Sequence, residues 1–90
     1  MSKDIIDMYK ELAKVTASFR PKGVPTKDNC NEFLYVQKIE HSIYSQTLEY
    51  LHEHCEDSQN IVGIEITKAC IKINEQLTDY LLSKIKEGFH

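Results

Sequence analysis

The sequence is poor in the residues that interrupt helices. Its 90 residues include only two prolines, three glycines and no tryptophan. Both prolines and one glycine fall within residues 19–26, which read Phe-Arg-Pro-Lys-Gly-Val-Pro-Thr. Because proline removes a backbone donor and fixes φ, and glycine admits a left-handed backbone, this segment is predicted to form a turn between long helices.

Paired cysteines, long apolar runs and a secretion signal are absent as well. The three cysteines lie far apart, without a Cys-x-x-Cys pair, which argues against a disulfide framework. No run approaches the roughly 18 apolar residues of a membrane-spanning helix. Asp4 and Asp7 stand where a secretion signal would carry its apolar segment. We therefore expect a cytosolic protein that does not contact membranes.

Recognised catalytic motifs are also missing. The sequence has no nucleophile elbow, phosphate-binding Gly-x-x-x-x-Gly-Lys loop, His-Glu-x-x-His pair or paired-carboxylate motif. In the cluster His52-Glu53-His54-Cys55, His52 and Cys55 share a helical face and could supply half a zinc site. The second half could come only from Cys70 or His41, so a solvated helix end is the better interpretation. We predict a non-enzymatic protein without a metal or another cofactor.

Positive charge gathers near the predicted turn, although the chain as a whole is acidic. Residues 1–27 carry six basic and three acidic side chains, a net charge of +3. Residues 28–90 carry five basic and eleven acidic side chains, a net charge of −6. This distribution suits a small anion better than a DNA or RNA backbone, which the acidic majority would repel.

The apolar pattern predicts three helices, at about residues 3–19, 27–54 and 58–87, within one all-α domain of residues 1–90. The first is amphipathic, with Tyr9 and Thr16 at the edge of an apolar face that comprises Ile5, Met8, Leu12, Val15 and Phe19. The second has a stripe near heptad spacing, formed by Phe33, Val36, Ile39, Ile43, Leu48 or Thr47, Leu51 and Cys55. Thr26 or Asp28 is expected to cap the second helix, and Asp57 or Ser58 the third.

The third helix carries apolar residues on two sides. One stripe comprises Val62, Ile66, Ala69, Cys70, Ile73, Leu77, Tyr80 and Leu81. Ile64, Ile71 and Leu82 lie roughly 140–160° away around the helix. An antiparallel hairpin of the second and third helices can bury only one side, so the other needs the N-terminal helix or another subunit. We expect a short N-terminal helix, a Pro/Gly turn and a long hairpin that assembles as a homo-oligomer.

The turn itself admits two interpretations, a plain helix linker or a phosphate-facing loop. Gly23 and the helix that begins near Lys27 would present backbone N–H groups and a positive dipole end, and Arg20 and Lys22 add full charges. Tyr9, on the helix that leads into this loop, supplies a flat face on which a base can stack. Together these features describe a nucleotide pocket.

In length and layout the chain resembles the small phage-encoded anti-CBASS sponge proteins, including those of T-even-type phages, which sequester cyclic-oligonucleotide signals of bacterial immunity. The resemblance rests on the N-terminal helix with Tyr9 and on the Lys22-Gly23 turn before a long helical hairpin. In that family a tyrosine stacks on the base and a lysine contacts the phosphate of a cyclic dinucleotide, between the N-terminal parts of two protomers of a homo-hexamer. The resemblance thus implies Tyr9 as the stacking residue and Lys22 as the phosphate contact, with Gly23, Arg20 and Thr26 as further pocket residues.

The implied function is non-enzymatic sequestration of cyclic dinucleotides such as 3′,3′-cyclic GMP–AMP in the host bacterial cytoplasm, which would antagonise CBASS anti-phage defence. The residues also leave open an alternative. A helical phage adaptor could bind a host protein through an exposed apolar stripe.

Overall fold

The computed structural model of the protein describes residues 2–54 and 58–88, with side chains from residue 5 onward. Within these ranges the chain forms three helices and no strand. Helix α1 spans Ser2–Ser18, α2 spans Cys30–Glu53 and α3 spans Ser58–Glu87. The prediction of an all-α chain is confirmed. Cys55 and Asp57, named above as the end of a stripe and as a cap, lie outside the described residues.

Helices α2 and α3 run antiparallel, and α1 runs antiparallel to α2. Along the hairpin, Leu51 lies beside Gly63, and Gln37 pairs with Asn74. Tyr9 of α1 lies beside Tyr50, near the C-terminal end of α2. The three helices form an elongated body of 49 × 20 × 16 Å.

Helix α2 begins at Cys30, about one turn later than the sequence pattern predicts. The carbonyl of Thr26 accepts hydrogen bonds from the backbone N–H groups of Asn29 and Cys30, at 3.2 and 2.9 Å. The side-chain oxygen of Asn29 accepts a bond from the backbone N–H of Thr26, at 2.7 Å. Asn29 therefore holds a closed turn and occupies the N-cap position, and the prediction that Thr26 or Asp28 caps this helix is wrong.

The core between α2 and α3 contains both apolar and polar side chains. Phe33, Val36 and Leu51 of α2 are buried, as are Ile64 and Leu81 of α3. The same face of α3 also buries Thr67 and Asn74. The more continuous apolar stripe of α3 stays exposed at Val62, Ile66, Ile73 and Tyr80. The buried face therefore coincides with neither predicted side, because it takes Ile64 from one and Leu81 from the other and leaves Leu82 51 % exposed.

Helix α1 leaves its apolar face uncovered within one chain. Met8, Leu12, Val15 and Phe19 are 46–72 % exposed. The edge of this face packs on α2 instead, where Thr16 is buried and Tyr9 is half-buried. Over the described residues, α1 makes no close backbone approach to α3, so the exposed stripe of α3 is not packed against α1.

Candidate ligand-binding site

The loop between α1 and α2 exposes one of the predicted phosphate contacts. Gly23 has φ +86°, a left-handed conformation that favours glycine. Lys22, beside it, is exposed, and so is Thr26 at the end of the loop. The backbone N–H of Thr26 is bonded to Asn29 and its carbonyl accepts two hydrogen bonds, so Thr26 can offer a ligand only its hydroxyl.

Arg20 differs from Lys22, because its guanidinium is committed to α2. Its Nη2 pairs with the carboxylate of Glu40 and donates to Oε1 of Gln37, at 2.7 Å. The Arg20 side chain is 33 % exposed, whereas that of Glu40 is only 6 % exposed. The pair neutralises the positive charge that Arg20 would otherwise offer to an anion. Arg20 therefore anchors the loop to α2 in this arrangement.

The same network continues across the hairpin. Gln37 donates from Nε2 to the backbone carbonyl of Asn74, and Asn74 donates from Nδ2 to the backbone carbonyl of Gln37, both at 3.0 Å. The two side chains are almost fully buried, with 2 % and 6 % of each residue exposed. This reciprocal pair fixes the register of α2 against α3, because a shift of either helix leaves buried amides unpaired. The loop, α2 and α3 are thereby joined through Arg20, Gln37 and Asn74.

Tyr9 lies away from the loop, in the wall of a cleft of about 720 Å³. The cleft opens between α1 and α3, and α2 forms its floor. Helix α1 contributes Ile6, Asp7, Tyr9, Lys10 and Ala13 to the lining. Helix α2 contributes Ile43, Tyr44, Thr47 and Leu51, and α3 contributes residues that include Asn60, Gly63, Ile66 and Thr67. Its volume is within the usual range for small-molecule sites, roughly 300–1,000 Å³.

A row of aromatic side chains supports the Tyr9 ring outside the cleft. Tyr50 lies 6.4 Å from Tyr9 between ring centroids, tilted by 57°. His54 stacks on Tyr50 at 4.2 Å, and its Nδ1 lies 2.9 Å from the Tyr50 carbonyl oxygen. Tyr50 and His54 are four residues apart, a spacing that places them on one face of the helix and that the sequence already shows. Tyr50 thus packs beside the Tyr9 ring, and His54 packs on Tyr50.

Tyr44 is the phenol on the cleft floor. Burial raises its pKa above the ordinary value, and the nearby Glu40 and Cys70 raise it further, while Arg20 lowers it. The phenol is therefore neutral at physiological pH and can donate a hydrogen bond. Its hydroxyl has no hydrogen-bond partner in the part of the chain that is described.

The predicted site residues thus occupy two places along one chain. Arg20, Lys22, Gly23 and Thr26 lie at the loop, and Tyr9 lies in the cleft. Arg20 packs beside Glu40 and Gln37 of α2, whereas Tyr9 packs beside Tyr50. These α2 positions are 10 to 13 residues apart, which corresponds to about 15–20 Å along a helix axis. Within one chain, Tyr9 and Arg20, which stands two residues before Lys22, therefore meet α2 at separate places.

The described residues contain neither a metal site nor a membrane-spanning helix. Among the described residues, no three histidine, cysteine, aspartate or glutamate side chains lie close enough together to hold a metal ion. Cys55, part of the cluster noted in the sequence, falls outside those residues. No helix within the described ranges is long and apolar enough to cross a membrane.

Comparison of this chain with protein-family models, with curated proteins and with solved structures found no match.

Proposed function

We propose that this protein is a non-enzymatic trap for cyclic dinucleotides of the 3′,3′-cyclic GMP–AMP type, and that it antagonises bacterial CBASS defence in the cytoplasm of a phage-infected host. The observation that carries the proposal is the position of Tyr9, in the wall of a cleft large enough for a small ligand. An aromatic face at such a site is worth about 1–3 kcal/mol per stacked base. Exposed Lys22, beside the left-handed Gly23, supplies a phosphate contact.

The proposed binding site is shared between copies of the chain. Because Tyr9 and the loop meet α2 at separate places, a second copy contributes the loop with Lys22 in this proposal. Support for such an assembly comes from the uncovered apolar stripes on α1 and α3, which a homo-oligomer such as a hexamer would bury. A site enclosed between preassembled chains binds tightly, because little ordering remains to be done when the ligand arrives.

The direct test is calorimetry with 3′,3′-cyclic GMP–AMP, followed by denaturation of the protein and recovery of the ligand. A trap gives binding heat and an intact ligand. Degraded ligand would instead indicate an enzyme. Absence of binding, checked by a second method, would end the proposal.

Matched variants test the two named residues. Tyr9→Ala removes the stacking face, and Tyr35→Ala is its control because Tyr35 is exposed and does not line the cleft. Lys22→Ala removes the phosphate contact, and Lys27→Ala is its control in the same loop.

We expect Tyr9→Ala to lower the affinity by about 5- to 150-fold, the equivalent of one stacked base. Lys22→Ala removes a charged hydrogen bond worth about 1.5–3 kcal/mol, or about 10- to 150-fold. Oligomer mass should stay unchanged, and loss of assembly in both variants would show that the residues are structural.

Co-expression of the Tyr9→Ala and Lys22→Ala chains tests whether the site is shared. Mixed oligomers contain some interfaces in which Tyr9 of one chain meets Lys22 of the other, so partial binding should return. If the mixture binds no better than either variant alone, the two residues do not form one site across copies.

A helical adaptor for a host protein is the second candidate, and the same exposed stripes favour it. Solution mass separates the two functions. A purified homo-oligomer that binds cyclic dinucleotides supports the trap. A monomer that becomes larger only when host protein is added supports the adaptor.

A further inference from the structure

We infer that the cleft between α1 and α3 is a pocket for one purine nucleotide unit, with the base stacked on Tyr9, Tyr44 at the base edge and Lys10 at the phosphate. This assignment rests on the proposed function, because it locates one half of the cyclic dinucleotide within a single chain. It adds three residues, Lys10, Tyr44 and Asp7, to the candidate site.

The shape of the cleft suits a flat, mostly apolar ring. Helices α1 and α3 both pack on α2 without approaching each other, which leaves a slot between them. Ile43, Leu51 and Ile66 supply apolar walls. At Gly63 the backbone of α3 approaches α2 so closely that a Cβ atom would lie 3.3 Å from Cδ1 of Leu51. With no side chain at Gly63, this wall of the slot stays flat.

The polar groups that line the cleft suit the edge of a ligand base that both donates and accepts hydrogen bonds. The hydroxyls of Thr47 and Thr67 donate to the carbonyls of Ile43 and Gly63, each at 2.7 Å. Those hydroxyls therefore can only accept from a ligand. The Tyr44 hydroxyl, which has no partner among the described residues, can donate. A purine edge carries ring nitrogen acceptors beside N–H donors, so it can match this set.

The rim of the cleft carries the charges that a ribose phosphate needs. Asp7 and Lys10 are one turn apart on α1, on either side of Tyr9 in sequence, and both line the cleft. The Lys10 ammonium can pair with a phosphate as a compact charge. The Asp7 carboxylate can accept a hydrogen bond from a ribose hydroxyl, as an acidic residue does in dinucleotide-binding folds. Lys10 belongs to the same chain as Tyr9 and needs no second copy.

Two tryptophan variants of the full chain test the pocket. Ile66 lines the cleft, and Ile73 lies two turns further along the same stripe of α3, outside the cleft. The two residues are 61 % and 65 % exposed and share one stripe, so Trp at either position should leave the fold intact and affect assembly alike, which circular dichroism and solution mass would verify. The probes are AMP, GMP and adenosine, in ligand-detected NMR titrations and calorimetry. We expect the wild type and Ile73→Trp to bind AMP or GMP, and Ile66→Trp to bind at least tenfold more weakly.

Lys10→Gln tests the phosphate contact separately. This substitution should weaken the binding of AMP about tenfold, the equivalent of about 1.4 kcal/mol, and leave the affinity for adenosine unchanged. Equal binding of AMP by Ile66→Trp and the wild type, or no binding of AMP and GMP by any variant, would overturn the pocket.

Parallel titrations with 3′,3′-cyclic GMP–AMP distinguish the two proposals. If mononucleotides bind in the cleft but the cyclic dinucleotide does not, the pocket stands and the trap falls. If the cyclic dinucleotide binds the Ile66→Trp variant as well as it binds the wild type, the trap stands and the pocket falls.

Discussion

The ion pair between Arg20 and Glu40 should contribute measurably to stability, unlike a surface pair. Glu40→Gln removes the charge and nearly preserves the shape of the side chain. Arg20→Met removes the guanidinium and preserves much of the aliphatic stem. Breaking a fully buried pair costs about 3–5 kcal/mol, because the remaining charge is left without a partner.

The two substitutions should not cost the same. After Glu40→Gln the remaining charge is on Arg20, whose side chain is 33 % exposed and can be partly hydrated. We therefore expect a loss below the buried range, of about 2 kcal/mol. After Arg20→Met the remaining charge is on Glu40, whose side chain is 6 % exposed. The expected loss is about 3 kcal/mol.

A double-mutant cycle isolates the interaction itself. If the two residues act as a unit, the double variant should lose about 3 kcal/mol of unfolding free energy, and not the sum of the two single losses, about 5 kcal/mol. The difference is a coupling energy of about 2 kcal/mol. Urea denaturation followed by far-ultraviolet circular dichroism measures each loss. With a slope of about 1–2 kcal/mol per molar urea, Glu40→Gln should lower the midpoint by about 1–2 M. All variants must be compared at one protein concentration, because association shifts apparent stability.

The pair between Glu65 and Lys68 is the matched control. Its atoms lie 3.8 Å apart, and both side chains are more than half exposed. Glu65→Gln should change the unfolding free energy by less than about 0.5 kcal/mol. A coupling between Arg20 and Glu40 as small as this would refute the view that the pair anchors the loop.

Three further predictions concern the loop, the cleft and the exposed face of α1. Gly23→Ala should lower the unfolding free energy by about 1–2 kcal/mol in the same denaturation assay, because a Cβ disfavours the left-handed φ of +86°. The added Cβ would meet nothing within 4 Å, so backbone strain is the only cost. An unchanged urea midpoint would show that the loop relaxes. Burial raises the pKa of Tyr44, so the stabilisation of its neutral phenol is fully present below pH ~10 and is lost as pH rises through the raised pKa. Absorbance titration at the tyrosinate band should show one late ionisation, and Tyr44→Phe should remove it. Leu12→Lys should reduce the solution mass of the oligomer and leave the helix content unchanged, since Leu12 is exposed in the single chain; an unchanged mass would place the self-association interface elsewhere.

The number and approximate bounds of the helices could be predicted from the sequence, but the rotation of each helix could not. Proline and glycine mark the first connection, and helical periodicity covers most of the rest. Rotation depends on which partner each face meets, and a single sequence does not reveal the partner. In α3 much of the longest apolar stripe stays exposed, and the packed face combines Leu81 of that stripe with Ile64, Thr67 and Asn74. These residues keep a heptad spacing in which two members are polar, so hydrophobicity alone underrates them.

The position of Arg20 shows a similar limit at the candidate site. Beside Lys22, in a basic third of the chain, Arg20 suggests an anion contact. A signal for its actual partner is present in α2. Gln37 and Glu40 occupy inward positions in the heptad series that runs from Phe33 to Leu51. A carboxylate at such a position requires an opposite charge, and Arg20 supplies it from the loop.

The Arg20 pair also helps to explain why the apolar face of α1 remains exposed. Arg20 follows the end of α1 by two residues, and its contact with Glu40 fixes the direction in which the helix meets α2. That rotation places Tyr9 and Thr16 against α2 and turns Leu12 and its stripe outward. Rotating α1 to bury the stripe would pull Arg20 away and leave Glu40 as an unpaired buried charge, a cost of about 3–5 kcal/mol that opposes the gain from burying the stripe. The ion pair thus helps to hold the apolar stripe of α1 outward, on the surface that the proposed assembly would bury.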